Sequence, residues 1–72
     1  MNAPMTITVA LDGKSRQVPI GTTLAVLVAE LGFAPSAVGT AVNGRFVARG
    51  LREGVELRSG DSVLFFQPIA GG

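Results

Sequence analysis

Only one segment of this 72-residue chain spaces its apolar residues with the period of an α-helix, and this segment limits the possible folds most strongly. Thr22 or Thr23 can cap the start of the helix, and Gly32 can end it. The apolar stripe consists of Leu24, Leu27, Val28 and Leu31. The chain has no second helix to cover this stripe, so it must be buried against a sheet. The rest of the sequence should therefore supply β-strands.

The N-terminal part of the sequence predicts a β-hairpin. Residues 5–11 alternate apolar residues with threonine or alanine, which is the pattern of a half-buried strand. Asp12-Gly13 follows, a dipeptide suited to the positive φ angles of a two-residue turn, and residues 14–20 continue the alternation. Pro19 has no N–H to donate to a ladder, so we expect it at the end or edge of the second strand.

The C-terminal half predicts a second hairpin, an irregular segment and a last strand. Asn43-Gly44 is the strongest two-residue hairpin signal in the chain, and a short β segment lies on each side of it. Residues 48–58 favour a short turn or 3₁₀ element, and residues 62–67 favour a strand that Pro68 ends. Three residues of the irregular segment are expected to contact the core: Leu51, Val55 and Leu57.

The order of elements is strand, strand, helix, two short strands, turn and strand. The helix is long enough to be a crossover, and one helix on one face of a sheet is an α+β arrangement. The pattern is that of a ubiquitin-like β-grasp, with a mixed sheet of four to five strands packed on one helix. We expect residues 1–68 to form this domain and residues 69–72 to form a flexible C-terminal tail.

Composition excludes most catalytic chemistry. The chain has no His, Cys, Tyr or Trp, so the usual general base, the thiolate nucleophile and the usual zinc ligands are missing. We therefore expect neither an enzyme nor a metal site. Because hydrophobic residues make up 47% of the chain and charged residues only 15%, it should nevertheless fold as a globular domain.

Charge and apolar runs bear on partners and location. The net charge is +1, which argues against a nucleic-acid partner. The longest unbroken apolar run is residues 24–29, far shorter than a membrane span, and the N-terminus lacks the pattern of a signal peptide. We expect no membrane association and a cytoplasmic location.

Four arginines are expected to be ordinary solvated charges rather than a basic docking surface: Arg45, Arg49, Arg52 and Arg58.

The last strand has two apolar faces. Val63 and Phe65 should face the helix, which leaves Leu64 and Phe66 on the opposite face, with Pro68 possible beside them. One helix covers only one face of a sheet, so these residues could form an apolar docking patch beside the tail. The alternative is that residues 48–58 fold over this face and cover it.

The chain ends in Gly71-Gly72. A glycine pair without Cβ atoms can thread a narrow slot and deliver its terminal carboxylate to a partner's active site. The simpler alternative is a frayed end without function. Because a carboxylate is a poor acyl donor, a partner would first have to activate it, for example as an acyl adenylate.

Three segments together resemble the ThiS sulfur carrier family: residues 41–49 with their Val-Asn-Gly turn, residues 60–67 with their Gly-Asp turn, and the end at residues 69–72. The resemblance implies that a ThiF-type adenylyltransferase, using ATP and magnesium, adenylates the Gly72 carboxylate. A sulfur donor protein then takes part in forming a thiocarboxylate, which delivers sulfur to the thiazole synthase ThiG. The carrier itself would bind no cofactor. The residues implied in partner binding are Leu64, Phe66, Ile69, Ala70 and Gly71.

Two alternatives remain at this stage. The small subunit of molybdopterin synthase is a related family with the same fold, the same Gly-Asp strand and the same Gly-Gly end. The other alternative is a β-grasp module that binds partners non-covalently and whose tail is incidental. The sequence does not identify the sulfur donor or the oligomeric state.

Overall fold

The computed structural model describes residues 5–67, which contain one helix, two 3₁₀ turns and five strands. The strands are β1 (Thr6–Leu11), β2 (Lys14–Pro19), β3 (Gly39–Val42), β4 (Arg45–Val47) and β5 (Ser62–Phe66). The helix α1 spans Leu24–Glu30. The two 3₁₀ turns span Pro35–Ala37 and Arg49–Gly54. The predicted order of elements is confirmed.

The strands form one mixed sheet in the order β2-β1-β5-β3-β4. β1 and β5 are parallel, whereas the pairs β1–β2, β3–β4 and β3–β5 are antiparallel. The parallel pair needs a long connection, and this connection carries α1. Pro19 is the last residue of the edge strand β2, where no neighbour needs its missing N–H. The α+β, ubiquitin-like β-grasp prediction is confirmed.

The core lies between α1 and one face of the sheet. Leu24, Leu27 and Val28 are buried on the helix, and Leu31 packs against the core from the helix end. The Thr23 side chain caps the helix by accepting a hydrogen bond from the Val26 N–H at 3.2 Å. The sheet contributes three fully buried valines to the same core: Val9, Val18 and Val63. The periodicity of the sequence therefore predicts the helix, its cap and its buried face.

Both predicted hairpin turns have the backbone angles that their sequences favour. Asp12 and Gly13 have φ values of 51° and 84°, and Asn43 and Gly44 have φ values of 53° and 82°. Two consecutive positive φ angles are the mark of a type I′ turn, whose twist matches the twist of paired strands. The turns fix the register of each hairpin, and so determine which side chains share a face.

The segment after β4 differs from the prediction at two positions. Leu57 is buried and Val55 packs against the core, as expected, but Leu51 is 66% exposed. Arg52 lies inside instead, 3% exposed, so the prediction that all four arginines of this region are solvated is wrong. The 3₁₀ turn rotates Leu51 outward and directs Arg52 toward the carbonyl groups of residues 35–38.

No helix among residues 5–67 has the length and hydropathy to cross a membrane.

Candidate functional site

Strand β5 presents a different apolar pair on each face. Val63 is fully buried, and Phe65 packs against the core and against Phe33 edge to face, with ring centroids 5.7 Å apart. Leu64 and Phe66 lie on the opposite face and are 46% and 44% exposed. The predicted assignment of the two faces is confirmed. The alternative that residues 48–58 cover Leu64 and Phe66 is not what the structure shows.

The exposed residues of β5 belong to a larger apolar patch. Ala41 lies opposite Leu64 on one side and opposite Phe46 on the other, so these three residues form a row across β5, β3 and β4. Phe46 is 68% exposed, and its ring centroid lies 6.3 Å from that of Phe66. We call Phe46, Leu64 and Phe66 the apolar patch. Phe46 could have been predicted, because the two-residue Asn43-Gly44 turn fixes its position opposite Ala41.

Gly39 determines where the Phe66 ring lies. The two residues are paired across β3 and β5, and the ring covers the Gly39 backbone. A Cβ atom at Gly39 would overlap the ring, and would lie only 2.7 Å from its Cζ atom. The absence of a side chain at this position therefore leaves room for the Phe66 ring over the Gly39 backbone, beside Phe46.

The turn after β3 is tied to the start of β5. Asn43 donates from Nδ2 to the Asp61 Oδ1 at 2.9 Å, and its Oδ1 accepts from the Ser62 N–H at 2.9 Å. The other Asp61 oxygen accepts from the Arg58 N–H at 2.8 Å. Asp61 thus caps its turn, and among residues 5–67 no second carboxylate takes part in this network. This network holds β3 and β5 in register below the apolar patch.

A groove adjoins the apolar patch at the Phe66 end of β5. It has a volume of about 700 Å³, and Phe46, Phe66 and Gln67 line it together with both 3₁₀ turns. Arg49 and Arg52 are the charged residues in its lining. Gln67 is the last described residue, so the C-terminal tail begins at this groove.

Arg52 is held by neutral groups. Its Nε donates to the Thr40 hydroxyl at 3.0 Å, Nη1 to the Pro35 carbonyl at 2.9 Å, and Nη2 to the Val38 carbonyl at 2.6 Å. Burial, and secondarily the charge of Arg49, lower the pKa of Arg52 below its ordinary value. An arginine keeps its proton despite such a shift, so a positive charge remains at the base of the groove. This burial could not be predicted, because nothing in the local sequence pattern of residues 49–54 shows that position 52 turns inward.

The remaining predicted site residues are outside the described part of the chain. Ile69, Ala70, Gly71 and Gly72, and also Pro68, all follow Gln67. Their predicted roles stay predictions, as does the domain boundary at residue 68. Among residues 5–67, no three acidic side chains are close enough together to hold a metal ion.

A comparison with protein-family models matches residues 3–72 to the ThiS family. The chain belongs to the ThiS family. No curated protein matches the chain with significance. Among solved structures, the chain is similar to the crystal structure of the thiamine biosynthesis protein ThiS from Geobacter metallireducens, with a TM-score of 0.80. The sequence identity is 23%, and the match covers 92% of this chain and 100% of the other chain. A solution structure of a thiamine biosynthesis protein from the same organism gives a TM-score of 0.73 and 23% identity over 92% of this chain and 88% of the other.

At this identity the solved structures establish the shared β-grasp fold, and the family match establishes the membership. Two of the segments that carry the resemblance to the ThiS family meet in the structure. The Val-Asn-Gly turn and the Gly-Asp turn are joined through Asn43 and Asp61. These motif residues therefore stabilise the sheet.

Proposed function

We propose that this protein is a sulfur carrier of thiamine biosynthesis whose C-terminal Gly72 carboxylate is converted to a thiocarboxylate. The observation that carries the proposal is the ThiS-family match over residues 3–72, which includes the Gly-Gly end. The similar solved structures are of thiamine biosynthesis proteins, and they support the same pathway.

The chemistry begins with activation of the carboxylate. A Gly72 oxygen attacks the α-phosphate of ATP on a ThiF-type adenylyltransferase with magnesium, and pyrophosphate leaves. A sulfur donor protein then supplies the sulfur that replaces AMP at the acyl carbon. The resulting thiocarboxylate is the nucleophile that delivers sulfur to the thiazole synthase ThiG. The carrier thereby gains a reactive sulfur without any cysteine in its sequence.

The division of labour agrees with the residues of the chain. Without His or Cys, the carrier lacks the usual general base and a thiolate of its own, so its partners must supply the proton transfers and the sulfur. The nucleotide and metal sites belong to the partners too. The protein is then a co-substrate that turns over rather than an enzyme, and we propose that it acts in the cytoplasm.

The apolar patch serves as the docking surface in this proposal. Exposed apolar residues that lie side by side mark surfaces where proteins bind one another. Phe66 is two residues before Pro68, so a partner that covers the patch also holds the start of the tail. Gly71 and Gly72 then enter the catalytic slot, because residues without a Cβ pass a narrow channel. Ile69 and Ala70 connect the docked domain to this slot, and we propose that the partner contacts them there.

Intact-mass measurement tests the covalent chemistry. The protein is incubated with its ThiF-type enzyme, ATP, magnesium and a sulfur donor. We expect a mass increase that corresponds to the replacement of one oxygen by sulfur. A matched variant with one alanine added after Gly72 should keep its circular dichroism spectrum but gain no sulfur, because its Gly72 carbonyl is an amide and its new carboxylate is on a residue whose Cβ does not pass the narrow slot. Sulfur on the extended variant, or none on the parent, contradicts the proposal.

Transfer of the sulfur separates the thiazole and molybdopterin branches. Thiocarboxylate-loaded protein is mixed with the thiazole synthase or with the large subunit of molybdopterin synthase, each together with its own sulfur-accepting substrate, which takes the sulfur from the thiocarboxylate. We expect the thiazole synthase to return the carrier to its carboxylate mass. Loss of sulfur only to the molybdopterin enzyme would place the protein in the other branch.

A further inference from the structure

The groove beside the apolar patch combines apolar walls with positive charge. Pro35, Val38, Phe46 and Phe66 contribute the apolar lining, and Arg49 and Arg52 contribute the charge. The groove has a volume of about 700 Å³, which is the size of sites that hold a small molecule or a few side chains. No Asp or Glu is among its lining residues.

The charge at the base of the groove has no anion beside it among these lining residues. Arg52 is 3% exposed, yet its three hydrogen-bond acceptors are a hydroxyl and two carbonyl groups. A buried charge ordinarily has an oppositely charged partner, because removing a charged group from water has a large free-energy cost. A guanidinium also has N–H groups beyond the three that Arg52 uses here. The Arg49 side chain, which is exposed at the rim, adds a second positive charge nearby.

We propose that the groove binds a segment of the partner protein in which a carboxylate side chain is next to an apolar one. The carboxylate lies between Arg49 and Arg52, where it accepts paired hydrogen bonds from a guanidinium, and the apolar side chain packs against Phe46 and Phe66. Charge complementarity selects this occupant, since two arginines attract an anion and no carboxylate lines this groove; Glu53 lies with both arginines in the adjoining pocket.

This inference rests on the proposed function in one respect, namely that the partner is the adenylating enzyme that takes the tail. Gln67 lines the groove, and five residues separate it from the end of the chain. An enzyme that holds the tail therefore also covers the groove. The apolar patch then supplies contact area, whereas the groove adds a charged contact that a partner without the acidic segment cannot make.

A peptide titration tests the groove without the enzyme. The full-length ¹⁵N-labelled protein is titrated with acetyl-Glu-Leu-Phe-amide and, separately, with acetyl-Lys-Leu-Phe-amide. We expect saturable amide shifts at Val38, Gly39 and Phe66 with the glutamate peptide, and binding about tenfold weaker with the lysine peptide. Equal affinities of the two peptides, or shifts confined to other residues, would overturn the proposal.

Two charge-reversal variants provide the matched comparison. Arg49→Glu changes the rim of the groove, and Arg16→Glu makes the same change of net charge on the exposed edge strand β2, at the other side of the sheet. We expect Arg49→Glu to weaken the glutamate peptide about tenfold and Arg16→Glu to have almost no effect. Both variants should melt near the parent temperature. Equal losses for the two variants would show non-specific attraction only and would overturn the proposal.

The same variants are then tested with the adenylating enzyme. We expect Arg49→Glu to raise the Kd about tenfold relative to Arg16→Glu, with a difference that shrinks as salt increases. If the parent is adenylated but both variants bind the enzyme equally, the groove proposal fails and the proposed function stands. If the parent is not adenylated, the proposed function fails, whereas the peptide titration still decides what the groove binds.

Two other occupants have distinct signatures in the free protein. Nuclear Overhauser contacts between Ile69 and the Phe46 ring would show that the chain's own tail fills the groove. Shifts of groove amides that depend on protein concentration would show a second copy there. Either result would overturn the assignment to a partner segment.

Discussion

The face of the sheet that α1 does not cover, the open face, has two different halves. The half formed by β1 and β2 exposes polar side chains, namely Thr6, Thr8 and Gln17. The half formed by β3, β4 and β5 exposes the apolar patch of Phe46, Leu64 and Phe66. Both halves lie on the face of the sheet that α1 does not cover. An uncovered sheet face needs only polar side chains, as the first half shows. The apolar residues of the second half are therefore not a consequence of the fold, and they favour a partner that covers them.

The two halves also differ in what lies beside them. β5 leads directly to the C-terminal tail, and the groove with Arg49 and Arg52 opens at its end. β2 is an edge strand that ends at Pro19 and has no comparable feature. The apolar patch, the charged groove and Gln67, the last described residue, thus lie together on one side of the molecule. A partner can engage all three at once.

The largest expected effect is a difference in stability between substitutions on the two faces of β5. Phe65→Ala removes a ring that packs on the core and on Phe33, and should lower the free energy of unfolding by about 3 kcal/mol. Phe66→Ala removes a half-exposed ring and should cost less than about 1 kcal/mol. Urea denaturation of both variants measures the difference. A larger loss for Phe66→Ala would reverse the roles of the two faces.

The next effect compares the two halves of the open face in binding. Phe66→Ala should weaken the complex with the adenylating enzyme by about 2 kcal/mol, as is typical of an aromatic residue central to an interface. Thr8→Ala, on the polar half, should leave the Kd within a factor of about two. Calorimetric titration of the enzyme with each variant provides the measurement. Similar losses for both would show that the apolar patch is not the docking surface.

A smaller effect is expected at the turn that holds the apolar half together. Asn43→Ala removes two side-chain hydrogen bonds and places alanine at a φ of 53°, so we expect a loss of stability of about 1 to 2 kcal/mol. Hydrogen exchange should rise at the β3–β5 pairs while the β1–β2 pairs stay protected. Uniform loss of protection would mean that the two halves do not unfold separately.

The smallest effect concerns the position of one ring. Gly39→Ala displaces the Phe66 ring, because the new Cβ would occupy its place, while the backbone angles suit alanine. We expect enzyme binding to weaken only a fewfold, about 1 kcal/mol or less, with the adenylation rate of bound carrier unchanged. Gly50→Ala, where a Cβ meets no atom within 4 Å, is the control. Tighter binding by Gly39→Ala would show that the ring's present position is not the binding one.

Much of this architecture could be predicted from local sequence patterns. Leu24, Leu27 and Val28 reveal the helix through their spacing, and Asn43-Gly44 reveals a hairpin through the positive φ angles it tolerates. The faces of β5 follow from strict alternation. These features depend on neighbours within a few residues along the chain, which is why the sequence alone suffices.

The groove could not be predicted in this way. Arg52 is buried because three acceptors from residues 35–40 converge on it, and that meeting depends on tertiary structure. Leu51, one residue earlier, is exposed for the same reason. A prediction from hydrophobicity alone buries Leu51 and exposes Arg52, which is the reverse of the structure. Hydrophobicity scales do not include the hydrogen bonds that stabilise a buried charge.

The most direct test of the docking claim is a contact map of the carrier in its complex. Full-length labelled protein is mixed with the adenylating enzyme, and cross-saturation from enzyme to carrier amides is recorded. If the apolar patch is the docking surface, we expect saturation at Phe46, Leu64 and Phe66 and none at Thr6, Thr8 and Gln17. Saturation centred on β1 and β2, or on the outer surface of α1, would contradict it.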